Sequence, residues 1–263
     1  MTTGERLAAQ GLALPPGCSL VSMDERPDLL RAHHHLNGSA WPEFMLQDAV
    51  VGATWDRLFR EFARFQCSLI DADGMPIAGL NCAPLAWDGI DASLPDGWDD
   101  QVLRTFAQRD AGVLPDTMGA IQIVVRPDRQ GSGLAGAMVA AMRALAAEQG
   151  FAALIACVRP TTKHEDPFAD IEEYALRVRE DGLPADPWIR LHVRLGARVV
   201  RGVPASMRME GTVADWRAWT GLPFPGGGQY VVPFAAAPVE IDLEADRGVY
   251  LDPNVWVVHR IGA

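Results

Sequence analysis

The chain has 263 residues, 49% of them hydrophobic, which is enough to bury a full core in one domain, with or without an appended lobe. Its net charge of −11 argues against a nucleic-acid surface or an anionic membrane as a binding partner. The four cysteines contain no Cys-x-x-Cys pair and lie in apolar stretches, so we expect reduced thiols in a cytoplasmic protein (Cys18, Cys67, Cys82 and Cys157).

The N-terminal half is predicted to contain a strand, two helices, a β-hairpin and a further helix. Its first residues lack the apolar core of a signal peptide, and no later stretch is apolar enough to span a bilayer. Pro27 suits the first turn of a helix, and aromatic residues recur at helical spacing from Trp55 to Phe65. The expected strands cover residues 18–23, 66–70 and 76–87, and the expected helices cover residues 24–36, 54–65 and 99–109.

Three adjacent histidines, His33, His34 and His35, stand near the end of the first predicted helix and invite a metal-site hypothesis. Successive residues of a helix point about 100° apart, so the three rings cannot all face one ion. No carboxylate or cysteine cluster is spaced to complete a site. We therefore predict no metal and interpret the histidines as a partly exposed helix end.

The central unit of the chain runs from Met118 to Gly150 and has the pattern of a strand, a glycine-containing turn and a helix. The strand, residues 121–125, is apolar and rich in β-branched residues, and the helix that begins at Leu134 has apolar residues on one face. Gly150 supplies the left-handed residue that commonly follows a helix. The turn, residues 130–135, therefore leads directly into a helix N-terminus.

A glycine turn at a helix N-terminus is suited to binding an anion. The first N–H groups of the helix have no carbonyl partners, and the helix dipole adds partial positive charge there. Gly131 and Gly133 have no side chains, so a ligand can approach the backbone closely. Phosphate or pyrophosphate is the expected ligand.

The dinucleotide fingerprint Gly-x-Gly-x-x-Gly is matched by residues 131–136, Gly-Ser-Gly-Leu-Ala-Gly. The surrounding strands and residues do not match those of the fingerprint. In that fingerprint the first glycine follows the strand directly and belongs to the first βαβ unit of its domain. Here residues 126–130 intervene, and the next strand ends in Arg159 instead of a ribose-binding acid. A nicotinamide-dependent oxidoreductase is therefore kept only as an alternative.

Starting from Gln130, the same turn has the pattern Gln-x-x-Gly-x-Ala, and Val125-x-Pro127 precedes it. This pattern resembles the acyl-CoA pyrophosphate loop of the GNAT acyltransferase superfamily. The resemblance implies a mixed α/β (α+β) GNAT fold, with a mixed central sheet flanked by helices, and acetyl-CoA or another acyl-CoA as co-substrate. It also implies that main-chain groups near Ile123 and Val125 pair with pantetheine. The pyrophosphate would be held by the turn residues Gln130, Gly131, Ser132, Gly133, Leu134 and Ala135.

A strand over residues 151–158 and helices over residues 166–180 and 188–195 are expected next. The run from Leu191 to Gly196 resembles a late GNAT helix with the pattern Leu-Tyr-x-x-x-Gly. His192 stands at the position of the tyrosine that is often assigned as the acid to the departing CoA thiolate, and helical periodicity points it inward. An imidazole there can donate a proton, but near neutral pH it can also act as a base. A satisfied core histidine is the structural alternative.

A narrower resemblance covers the run from Asp186 to Ala197, together with Arg159-Pro-Thr upstream. It is similar to the GNAT-like domains that start some polyketide synthases, and to their free-standing relatives. There a histidine and a threonine are implicated in decarboxylating malonyl-CoA or in moving an acyl group to a carrier thiol. The resemblance makes His192 and Thr161 the candidate catalytic residues and Arg208 a candidate carboxylate holder. A hydroxyl that caps a loop is the structural alternative for the threonine.

The tail after Val203 exceeds what the GNAT fold needs. It is expected to contain a short helix over residues 212–220, a glycine turn at 226–228, and one or two hairpins over 239–261. We therefore predict a GNAT domain in residues 1–203, with inserted helices in residues 159–186, and a C-terminal extension in residues 204–263 that packs on the same domain.

The sequence thus predicts an acyl-CoA-dependent acyltransferase that moves an acetyl group to a small-molecule amine or a carrier-protein thiol. Two alternatives stay open besides the oxidoreductase: malonyl-CoA decarboxylation with S-acyl transfer, and a non-catalytic CoA-binding module. No nucleic acid or membrane is expected as a partner. No residue pattern selects the acceptor or the oligomeric state.

Overall fold

A mixed β-sheet forms the centre of the computed structural model, which describes residues 1–262. The strands in this range are β1 (Ser19–Ser22), β2 (Gln66–Ile70), β3 (Pro76–Leu85), β4 (Thr117–Val125), β5 (Ala153–Val158), β6 (Arg198–Gly211), β7 (Gly228–Tyr230), β8 (Val239–Asp242) and β9 (Arg247–Arg260). Their order is β1-β2-β3-β4-β5-β9-β8-β7, and β6 also pairs with β9. The β4–β5 pair is parallel, and the other pairs are antiparallel.

Helices flank this sheet, as predicted for the fold class. They are α1 (Thr3–Ala9), α2 (Leu30–Ser39), α3 (Ala49–Glu61), α4 (Trp98–Asp110), α5 (Leu134–Glu148), α6 (Ile171–Ala175), α7 (Pro187–Arg194) and α8 (Val213–Thr220). Across residues 1–262, no helix combines the length and the apolar character needed to cross a membrane.

The predicted order of a strand, two helices and a hairpin is confirmed, but both helices have shifted ends. α2 extends past its predicted end, and the buried amide of Asn37 in this added turn donates to Asn81 Oδ1 of β3 (3.0 Å). α3 begins before its predicted start because the Asp48 carboxylate caps its N-terminus by accepting from the N–H of Val51 (2.9 Å). Helical periodicity did not predict the longer α2, because the added turn depends on a contact with Asn81, which is distant in sequence.

The prediction of a helix over residues 166–180 is wrong. Only α6 is helical in this segment, and Asp170 caps it instead of Asp166. After α6 the chain turns back on itself, with a β-bridge between Val178 and Pro184. The inserted segment is therefore mostly an ordered loop.

The segment after Val203 contributes directly to the sheet. β6 crosses the predicted boundary at Val203, and residues 255–260 of β9 pair along the full length of β5. Between these strands, α8 and β8 pack around a second hydrophobic cluster that contains Trp216 and Tyr250. The predicted division into residues 1–203 and 204–263 stays a prediction, although β6 and β9 connect the two parts within one sheet.

β4 and β5 separate part-way along their length. Their pairing runs from Thr117 opposite Ala153 to Ala120 opposite Ala156, and it stops there. At the next residue, Ile121, β4 has a register shift against β3 of the β-bulge type. Because a bulge bends a strand and increases its twist, it turns β4 away from β5 and opens a V between them.

α4 stabilises the main chain at the point where the strands separate. Trp98 Nε1 donates to the carbonyl of Ile121 (2.8 Å), and Gln101 Nε2 donates to the carbonyl of Ala120 (3.0 Å). A buried carbonyl without a partner costs about 1–3 kcal/mol. The two side chains therefore satisfy polar groups next to the interrupted ladder.

Candidate active site

A cavity of about 400 Å³ lies where β4 and β5 separate. Both strands line it, together with α2, α3, α4, α7 and the segment between α2 and α3. Its aromatic walls are Trp41, Trp55, Trp98 and Trp188, and its polar residues include His34, Asn37, Gln122, Arg159, His192 and Asn254. Among the lining residues drawn from positions 1–262, Arg159 is the one side chain with a permanent charge.

The turn before α5 is exposed and consists mainly of backbone. Gly131 and Gly133 have φ angles of 75° and 84°, in the left-handed region that favours glycine. In the described chain, a Cβ added to either glycine would meet no atom within 4 Å. The Ser132 hydroxyl donates to the carbonyl of Arg129, and no side chain of residues 1–262 caps the N-terminus of α5. The first N–H groups of α5 are therefore open to an anion arriving from solvent.

One edge of β4 is open between the bulge and this turn. Ile123 and Val125 are paired on the other edge, with Leu80 and Ala78 of β3. The Gln130 side chain lies at the outer end, with its Nε2 3.4 Å from the carbonyl of Val125. An open strand edge can bind an extended ligand as an added strand.

α7 places His192 in the cavity. Asp186 caps this helix by accepting from the N–H groups of Trp188 and Ile189 (2.9 and 3.1 Å), so the helix predicted there is confirmed. The prediction that His192 points inward is also confirmed, because the residue is only 2% exposed and lines the cavity. The Trp188 ring meets the imidazole edge-on, with 4.6 Å between the ring centroids.

The electrostatic environment keeps His192 neutral. Burial, and to a smaller extent the neighbouring ring of His259, lower the pKa of His192 to about 3. His192 Nδ1 lies 2.9 Å from His259 Nε2, while His192 Nε2 has no hydrogen-bond partner within residues 1–262. At neutral pH the ring is therefore a neutral imidazole. It can accept a proton, but it cannot act as an imidazolium acid.

Thr161, the other predicted catalytic residue, is exposed and does not line the cavity. Its carbonyl accepts a hydrogen bond from His164 Nδ1 (3.0 Å). Thr162 is the more enclosed neighbour, with its N–H donating to Asp186 Oδ2 (2.9 Å) and its hydroxyl 2.9 Å from that of Tyr174. The role predicted for Thr161 stays a prediction that these contacts do not support.

Arg208, the candidate carboxylate holder, is also outside the cavity. It is exposed and forms an ion pair with Glu210 (2.6 Å). Arg159, which was not among the predicted site residues, lines the cavity instead. Arg159 Nε donates to the buried Asp252 (2.8 Å), and Nη2 donates to the carbonyl of Phe234 (2.6 Å).

Cys157 is the cavity residue that could in principle act as a nucleophile. Burial raises its pKa to about 12, so it stays a thiol at neutral pH. Its Sγ lies 3.2 Å from Ser206 Oγ. Within the described residues all four cysteines are unpaired, as predicted.

The three adjacent histidines have three different environments. His33 is buried, with Nδ1 2.8 Å from Ser68 Oγ and Nε2 3.0 Å from the amide of Asn81. His34 lines the cavity, and His35 is exposed. The part of the chain that the structure describes contains no cluster of three or more His, Cys, Asp or Glu side chains arranged for a metal ion.

No protein-family model matches the chain. Over 289 aligned residues it is 31% identical to the arginine N-acetyltransferase avaD from Aspergillus versicolor, and the alignment covers 98% of this chain and 99% of that protein. The chain belongs to the GNAT superfamily of N-acetyltransferases. GNAT acetyltransferases take their acyl group from an acyl-CoA, so the predicted enzyme class and type of co-substrate are confirmed at this level.

Two solved structures show that the GNAT fold extends over most of the chain. The loading GNATL domain of CurA from Lyngbya majuscula superposes with a TM-score of 0.57 at 14% identity, covering 92% of this chain and 97% of that one. The GphF GNAT-like decarboxylase in complex with isobutyryl-CoA superposes with a TM-score of 0.54 at 16% identity, covering 89% and 96%. At these identities the likeness concerns the fold, and it confirms the predicted fold class.

Proposed function

We propose that this GNAT enzyme binds acyl-CoA along β4 and transfers the acyl group to an amine inside the cavity. One observation carries the proposal: the open turn, the open edge of β4 and the cavity follow one another along a single path. The turn lies after the outer end of β4, and the cavity begins at Ala120 and Ile121, where β4 leaves β5. The path ends at His192.

Main-chain groups would provide most of the CoA contacts in this arrangement. The pyrophosphate would lie against the turn formed by Gln130, Gly131, Ser132, Gly133, Leu134 and Ala135, where unpaired N–H groups and the helix dipole favour negative charge. Pantetheine would pair with β4 near Ile123 and Val125. The thioester would then reach the cavity between the end of β5 and α7.

The neutral His192 ring fits the proton transfers of such a reaction. The acceptor nitrogen attacks the thioester carbonyl carbon, the new C–N bond forms, and the C–S bond breaks. His192 takes the proton released by the nitrogen. The protonated ring then passes that proton to the departing CoA thiolate. The base and acid roles thus follow in sequence on one ring.

We further propose that the acceptor is an amino acid, with the arginine used by the avaD protein as the first candidate. Arg159, 17% exposed and held by Asp252, leaves Nη1 without a hydrogen bond in the described chain, so it can bind the acceptor carboxylate. The tryptophan walls suit a planar group such as a guanidinium, which stacks on aromatic faces. These features support a small-molecule acceptor over a carrier-protein thiol.

The decarboxylase and S-acyltransferase alternative gains no support from the position of Thr161, since its side chain lies outside the cavity. Mass spectrometry separates the alternatives. Incubation with acetyl-CoA and arginine should yield acetylated arginine, whereas incubation with malonyl-CoA alone should leave malonyl-CoA intact. Loss of CO2 from malonyl-CoA would favour the decarboxylase. Tight CoA binding without turnover of any amine or thiol would favour a non-catalytic module.

The CoA site is tested with a substitution in the turn. Ser132→Asp adds a negative charge beside the proposed pyrophosphate at an exposed position, and it should weaken CoA binding by about tenfold, the effect of roughly 1.4 kcal/mol of repulsion. The control Ala245→Asp adds the same charge at an exposed position between β8 and β9 and should leave CoA binding unchanged. Isothermal titration calorimetry measures both. Equal affinity of the two variants would contradict the proposed site, and NAD(P)H binding would favour the oxidoreductase.

A further inference from the structure

A pair of buried histidines connects the cavity to the sheet. His259 is on β9, opposite Leu154 of β5, and is 0% exposed. Its Nε2 lies 2.9 Å from Nδ1 of His192, a hydrogen-bond distance. Burial, and to a smaller extent the charge of Arg143, lower the pKa of His259 to about 4. Because each neutral ring has one N–H and one bare nitrogen, the contact is a hydrogen bond when one of the two facing nitrogens carries its proton and the other accepts it.

The surroundings of His259 favour one placement of that proton. Its second nitrogen, Nδ1, has no hydrogen bond of normal geometry within residues 1–262, but the carbonyl of Leu195 lies close enough to raise the pKa of the ring. The same carbonyl accepts from Arg143 Nη1 (2.7 Å). A proton on Nδ1 of His259 would face this carbonyl favourably and would leave Nε2 bare, able to accept the proton of His192 Nδ1.

We propose that His259 is a positioning residue that holds His192 in the tautomer with the proton on Nδ1, so that Nε2 of His192 carries the free electron pair. The inference rests on the proposed role of His192 as the proton acceptor in acyl transfer. In the opposite tautomer, Nε2 would carry a hydrogen and could not accept the proton of the attacking amine.

Packing alone does not account for this arrangement. Each ring leaves one buried nitrogen without a regular partner, and such a group costs about 1–3 kcal/mol. Two apolar side chains of similar size would fill the same space without this cost. The charge of Arg143 also opposes a positive charge on His259. The polar pair is therefore better explained by control of the His192 proton than by stability.

Two variants of His259 separate positioning from packing. His259→Phe fills the space but removes the acceptor, and it should lower kcat by about 10²-fold, the size of a general-base contribution, with the KM for acetyl-CoA unchanged. His259→Gln places an amide oxygen near the position of Nε2, where it can accept from His192 Nδ1, and it should restore most of the rate. Equal losses in the two variants at matched thermal stability would identify His259 as a packing residue and overturn the proposal.

Long-range ¹H–¹⁵N correlation spectra of the full-length protein, labelled at histidine, read the tautomer without any turnover. We expect the His192 signals to show a protonated Nδ1 and a bare Nε2 in the wild type and in His259→Gln, and to lose that pattern in His259→Phe. A protonated Nε2 in the wild type would refute the inference. A fully active His192→Ala variant would contradict the proposed role of His192 in acyl transfer. If the expected spectra were observed as well, the tautomer assignment would still hold.

Discussion

The turn at residues 130–135 and the cavity around His192 serve the same proposed reaction but are built in opposite ways. The turn is exposed, continuous in sequence and made of main-chain N–H groups. The cavity takes its side chains from several helices and strands that are distant in sequence. A backbone site depends on local conformation, whereas a side-chain site depends on tertiary packing. Substitutions in the turn should therefore affect binding, and substitutions in the cavity should affect chemistry and stability.

The largest expected effect separates the two regions directly. His192→Ala should lower kcat by about 10²–10⁴-fold because it removes the proton acceptor, while the Kd for CoA stays near that of the wild type. Steady-state kinetics and calorimetry on the same preparation measure the two quantities. Parallel losses in kcat and CoA affinity would show that His192 has a structural role and that the two regions are not independent.

A smaller effect concerns the acceptor end of the cavity. Arginine amide lacks the carboxylate that we propose Arg159 binds. Its kcat/KM should therefore be about 10–100-fold below that of arginine, the effect of losing a hydrogen bond between charged groups. The comparison uses the wild-type protein and so avoids leaving Asp252 buried without its partner. The KM for acetyl-CoA serves as the control, because it should not change. Equal use of the two acceptors would remove the carboxylate from the proposal.

The smallest expected effect is on stability and follows from pH. Residues 130–135 contain no titratable side chain, whereas Asp99 follows the cavity residue Trp98. Burial and the nearby Asp48 raise the pKa of Asp99 to about 8. Because the unfolded carboxyl titrates near 4, stability present at low pH is lost as the pH rises toward 8.

Asp99→Asn keeps an acceptor for the N–H of Arg208 but removes the charge. It should raise the melting temperature by a few degrees at pH 8.5 and change it little at pH 4. Asp73→Asn, at an exposed position in the β2–β3 turn, is the matched control. Differential scanning fluorimetry across pH would detect the change, and a pH-independent shift for Asp99→Asn would exclude this account of its titration.

The difference between the regions also explains what the sequence could predict. The strand, turn and helix around residues 118–150 were predictable because the apolar pattern and the two glycines act locally. The inward direction of His192 followed from helical periodicity. His259 and Asp252 could not be found in this way, because both come from β9, which is distant in sequence from His192 and Arg159. His259 lies where β9 pairs with β5, and Asp252 lies where β9 pairs with β6.

Contacts beyond the local sequence also explain why the helix predicted over residues 166–180 was wrong. Asp166-Pro167 has the local form of a helix cap, but the residues that follow form contacts further along the chain: the Tyr174 hydroxyl donates to Asp186 Oδ2 (3.2 Å), and Val178 forms a β-bridge with Pro184. Thr161 was predicted because it follows a strand end, but it is exposed and does not line the cavity, so its catalytic role stays a prediction that its position does not support.

A crystal structure of the protein with acetyl-CoA tests the central claim most directly. The account predicts pyrophosphate oxygens within about 3.2 Å of main-chain nitrogens in residues 131–135, pantetheine along the open edge of β4, and the thioester in the cavity beside His192. Acetyl-CoA bound elsewhere, with the turn making no contact to its pyrophosphate, would contradict it.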